Sequence, residues 1–182
     1  MEKADLTDAI AKVRETWNAT IDELGPEGLE RPGVTGEWRV RDVLAHFNGW
    51  DRWQLVQLRC AFTGEEPSDD ELTGGISYPE NDNMQEDAMN EMFVAGTRDL
   101  PTQTILDHWR EVSQMRADWV AAASQEQLDA LIGADWSGGP RIMRLASEVP
   151  AVQNPAPVWQ AIRDQLIHQE QHHKAVTESL RT

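Results

Sequence analysis

Leu6, Ile10, Val13, Trp17, Ile21 and Leu24 recur at three- and four-residue steps, the period of one face of an α-helix. The same period returns at Val40, Val43, Phe47, Trp50, Gln54 and Gln57, then at Ile105, Trp109, Val112, Arg116 and Trp119. It returns a last time at Val158, Ile162, Leu166, Gln169, His173, Val176 and Leu180. Each segment is long enough for several turns and carries an apolar stripe that must be buried against another element. The spacing predicts helices over 5–24, over 38–62, from just after Pro101 to about Ser124, and from Asn154-Pro155 to about Leu180. Four long amphipathic helices with irregular connections make an all-α, four-helix bundle. Neither an internal repeat nor a sustained alternating strand pattern is present.

The punctuation fits this reading. Gly25-Pro26 stops the first helix. Residues 63–83 form a long connection between the second and third long helices, followed by a short helix near 84–94. Ser124 reads as the N-cap of a small helix over 125–131. Residues 133–157 are rich in Gly and Pro and read as loop, with one turn of helix over 141–148. Gly49 lies inside the second helix, where a glycine often marks a close approach by another chain or a ligand. A length of 182 residues suits a single domain, 1–182.

The net charge of −16 argues against nucleic acid as a partner, because phosphate backbones are met by clustered Lys and Arg. It also disfavours anionic membranes. Residues 65–99 hold eleven Asp and Glu against one Arg, which reads as a solvated acidic segment or as a rim that attracts a cationic ligand. No run approaches ~18 apolar residues, so no membrane span is expected. The N-terminal segment lacks a signal-peptide pattern and Cys60 is the single cysteine; both point to the reducing cytoplasm. Cys60 has no His or Asp in a partner position and reads as a buried thiol.

Three of the five histidines fall in LIHQEQHHKAV, residues 166–176. Positions four apart on a helix differ by about 40°, so His168 and His172 project from one side, a turn apart. That is the spacing of a two-histidine metal clamp, and equally of a polar face that happens to be His-rich. His46, between Val43, Phe47 and Trp50, faces inward and is the candidate third ligand from another helix. Three neutral imidazoles suit zinc, nickel, copper or iron and leave coordination positions open. His173 lies nearer the centre of the stripe than His172 and competes with it, as a ligand or as a core histidine. His108, beside Asp107, reads as a surface residue. Asp42, one turn before His46, is either an acceptor orienting its ring or a surface carboxylate. Trp38, Trp50 and Trp53 line a pocket or simply fill the core.

The run Trp38-Arg39-Val40-Arg41-Asp42-Val43-Leu44-Ala45-His46, with Trp50 after it, resembles the second-helix signature of the DinB/YfiT-like metal-binding four-helix bundles. His168-Gln-Glu-Gln-His172 resembles that family's last-helix His-x-x-x-His. The resemblance implies a divalent metal on His46, His168 and His172, with zinc or nickel first and iron as a further candidate. It also implies a homodimer. Where many members continue with Arg-Gly-Gln after the last ligand, this chain has His173-Lys174-Ala175. The middle of the chain, around Asn81-Asp82-Asn83 and LPTQTILDHWREV, resembles the ClbS/DfsB branch, which is associated with small-molecule resistance.

Two functions follow as expectations. One is a metal-dependent enzyme of stress response or detoxification that transfers a low-molecular-weight thiol to a small electrophilic molecule, or hydrolyses it. The other is a metal-free small-molecule binding or resistance protein of the ClbS/DfsB type.

Overall fold

The structure is a computed structural model that describes residues 1–34, 36–79, 86–135, 142–147 and 153–180. Four long helices dominate it: α1 (Lys3–Leu29), α2 (Val40–Thr63), α5 (Thr102–Ala122) and α7 (Val158–Ser179). Between them lie the short helices α3 (Asp69–Thr73), α4 (Glu86–Thr97) and α6 (Gln125–Asp129), and a small sheet of β1 (Leu131–Asp135), β2 (Ile142–Leu145) and β3 (Gln153–Pro157). The expected all-α helical bundle is therefore present.

Several boundaries differ from the sequence expectation. Gly25-Pro26 kinks α1 instead of ending it. Gly25 adopts a left-handed φ of 60°, which glycine tolerates, and Pro26 opens a further turn that runs to Leu29. The connection after α2 contains α3, capped by the Ser68–Glu71 capping box. Residues 142–145 are a strand and not a helical turn. β1 pairs antiparallel with both neighbours, Ile132 opposite Leu145 and Leu131 opposite Pro157, with an irregularity between Ile132 and Ala134. That pairing takes up residues 153–157, so α7 starts at Val158 and not at Asn154-Pro155.

The core is built on aromatic rings. Trp17 of α1 meets Phe47 of α2 edge-on at 5.3 Å and Trp109 of α5 at 6.2 Å. Their polar ends are used: Trp109 Nε1 donates to Asn18 Oδ1, and Trp17 Nε1 to the Gln169 carbonyl.

α2 is the central element and is buried on nearly all sides. Its outer face is covered by a second cluster formed by Trp53, Met89 and Phe93. Gly49 explains how α4 comes so close: a Cβ there would lie 2.3 Å from the Phe93 ring. The glycine thus admits a ring of its own chain. α2 packs far more extensively on α5 than on α7. Cys60 is buried, as expected.

Candidate metal centre

His46 enters the interior from the first turns of α2 because Val43, Phe47 and their neighbours commit that face to the core. It is 3% exposed. His168 and His172 come from the middle of α7, one turn apart, and are half-buried. Their rings lie 4.5 Å apart, and those of His46 and His172 are separated by 5.7 Å. His46 Nε2 and His168 Nε2 are 3.0 Å apart. The three side chains each offer a ligand atom, and these atoms all lie within 4.8 Å of one another. The expected triad is thus brought together.

The alternative ligand is placed elsewhere. His173 turns to α1, where its Nε2 lies 2.7 Å from Thr20 Oγ1 and its ring stands edge-on to Trp17 at 5.1 Å. It is a satisfied histidine at a helix interface. His108 lies outside the triad and is half-buried near Arg52 and Glu111, not on the open surface.

Asp42 fits neither of its expected roles. It is buried, and its carboxylate accepts from the backbone N, Nε and Nη2 of Arg39 in the capping box of α2. Of the tryptophans, Trp38 faces the site, with its ring 5.4 Å from that of His46. Trp50 and Trp53 belong to the second cluster. Phe47 closes the site from below, 5.5 Å from His172 and 6.1 Å from His168.

The electrostatics keep the His46 and His172 rings neutral. Burial, reinforced by His168 and His172 nearby, pushes the His46 imidazole down from 6.5 to about 3. Burial and His168 push His172 down to about 4. The Asn90 side chain, held by a 2.7 Å hydrogen bond from Trp50 Nε1, opposes the shift at His46. It makes no well-formed hydrogen bond there, since His46 Nδ1 is buried without a partner.

These residues fit a metal ion. Nitrogens bound to one tetrahedral zinc lie ~3.3 Å apart, close to the Nε2 separation found between His46 and His168. The buried His46 ring turns its Nε2 to another imidazole nitrogen, a pairing of two potential acceptors that a shared cation would satisfy.

Sequence reasoning missed one group beside the triad. Asp51 on α2, Arg116 on α5 and Gln169 on α7 are 1%, 2% and 0% exposed. Arg116 Nη2 pairs with Asp51 Oδ1. Gln169 Nε2 donates to Asp51 Oδ2 at 2.7 Å, and Arg116 Nη1 donates to Gln169 Oε1 at 3.2 Å. Burial pushes the Asp51 carboxyl up, against Arg116, the Gln169 amide and, more weakly, His168. The available signal was that all three occupy or adjoin largely apolar stripes.

Over residues 10–151 the chain matches the family described as mycothiol maleylpyruvate isomerase N-terminal domain. No curated protein matches it in sequence. Among solved structures it is similar to DfsB, described as a sibling lethal factor precursor, with a TM-score of 0.70 at 13% identity, covering 100% of this chain and 96% of that one. The colibactin self-resistance protein ClbS, solved with double-stranded DNA, gives a TM-score of 0.68 at 14% identity over 97% of this chain and 93% of that one. A mutant of the mycothiol-dependent maleylpyruvate isomerase gives 0.65 at 9% identity, with 97% of this chain covering 61% of that one. At these identities the structures share the fold, while the family match takes in more than half of the sequence. The chain belongs to the mycothiol maleylpyruvate isomerase N-terminal domain family, a group of DinB/YfiT-like helical bundles.

Proposed function

We propose that His46, His168 and His172 hold a divalent metal ion, zinc or nickel first and iron as a further candidate. We propose further that the chain is a detoxifying enzyme acting on a small electrophilic molecule, by transfer of a low-molecular-weight thiol or by hydrolysis. The observation that carries this reading is the convergence of three imidazoles from α2 and α7, with ligand atoms within 4.8 Å of one another. When bound, such a metal supplies Lewis acidity that lowers the pKa of a thiol or water in a position left open by three protein ligands.

The chain's own residues do the rest. His46 and His172, pushed down to about 3 and about 4, are neutral imidazoles at neutral pH, so a cation meets no imidazolium at either. Trp38 and Phe47 flank the rings and restrict water around them. The family's name supports a thiol as co-substrate. The DNA in the ClbS structure is that protein's partner. For this chain we propose none, because its charge of −16 repels a polyanion.

Metal content measured by plasma mass spectrometry on untagged protein tests the reading. Near one metal per chain, lost in His46→Ala and His168→Ala, is expected, with metal-dependent consumption of an electrophile in the presence of a thiol or water. Failure to take up zinc, nickel or iron would leave the metal-free binding or resistance role in its place.

A further inference from the structure

Asp51, Arg116 and Gln169 close a ring of three polar contacts across α2, α5 and α7. The backbone carbonyl of Gln169 also accepts from Trp17 Nε1 of α1 at 3.2 Å. One residue of α7 is therefore bonded to all three other long helices. That residue directly follows His168 and precedes His172 by three positions.

Both ends of the Gln169 amide are committed, its oxygen to Arg116 and its nitrogen to Asp51. A slide of α7 by one residue, or a rotation about its axis, breaks both bonds at once. Stability alone does not account for such a network, since well-packed apolar residues in place of a buried ion pair are often neutral or stabilising. Specifying a single register is its best-attested use. The need for a register device is greatest here, because α2 and α7 carry the triad between them yet share much less packing than α2 and α5.

We infer that Asp51, Arg116 and Gln169 are positioning residues of the histidine site: they fix the register of α7 against α2 so that His168 and His172 face His46. As a statement about metal affinity, this rests on the metal reading above. As a statement about the geometry of the rings, it stands without it.

The test uses two variants of the full chain, Gln169→Met and the triple Asp51→Leu/Arg116→Met/Gln169→Leu. The first readout is zinc affinity by chelator competition. The second is the urea midpoint of the metal-free protein. The third is the NMR signal of the imidazole N–H shared between His46 and His168, also in the metal-free protein. We expect zinc Kd to weaken by about 10–100-fold in both variants, the usual effect of removing a group that supports metal ligands. We expect the triple variant to keep or raise the urea midpoint, and both variants to lose the protected imidazole N–H. Wild-type zinc affinity in a folded variant, or an unchanged imidazole signal, would overturn the inference. If the triple variant does not fold, Gln169→Met decides, because it keeps the Asp51–Arg116 pair. If the wild-type chain takes up no metal, the metal reading fails separately and the imidazole signal alone decides the register question.

Discussion

The buried His46 makes the stability of the metal-free protein depend on pH in a window where exposed carboxylates remain ionised. Its imidazole falls from 6.5 to about 3 in the folded chain. Between these values the unfolded chain binds a proton that the folded chain refuses. The contribution is complete above about pH 6.5 and is lost progressively as pH falls toward 3. From pH 7 to pH 5 the loss works out at about 2 kcal/mol from this one group. His172 shifts in the same direction, but it is half-buried and screened by solvent, so its share of the loss is smaller. The assay is urea unfolding of chelator-treated protein at both pH values, for the wild type and for His46→Leu. The variant fills the buried position with an apolar side chain and should lose most of the pH 7-to-5 drop. Charges outside the triad titrate equally in both proteins and cancel in the comparison. An equal drop in both would refute the placement of His46 as a buried neutral base.

Three further outcomes are expected. Gly49→Ala would drive a Cβ into the Phe93 ring and should cost about 1–3 kcal/mol, with loss of the near-ultraviolet signal from Trp50 and Trp53 as α4 lifts from α2. His173→Ala gives up the Thr20 contact at about 1 kcal/mol and should retain full metal content, whereas His172→Ala should lose the metal; mass spectrometry of the pair separates the two neighbours. Asp51→Asn leaves the Arg116 guanidinium buried without its counter-charge and should destabilise by about 3–5 kcal/mol in chemical denaturation.

The four long helices were legible because a long helix that buries one face must repeat apolar residues at helical spacing. The sheet was not. β2 is four residues long and β3 is Gln-Asn-Pro-Ala-Pro, a strand that prolines permit only at a sheet edge and that shows no alternation. α2 read as a helix with one buried stripe, whereas α4 and β2 cover its remaining faces, and Gln57 Oε1 accepts from the Met143 backbone of β2. Trp50 and Trp53, read as pocket lining or core, and Gly49, read as a place of close approach, belong to the docking of α4.

The histidines divide along the same line. The four-residue step between His168 and His172 is a property of one helix and can be read from the chain. The exclusion of His173 depends on Thr20 and Trp17, residues of α1 more than 150 positions away, and no local pattern contains it. Asp51, Arg116 and Gln169 are the extreme case. Each is a polar residue on or beside a largely apolar stripe, and each alone would be costly to bury. Three such residues on three helices are a reason to look for one another, because a buried charge persists only where a partner meets it. In this chain the meeting point lies beside the triad, where α7 must be held against α2.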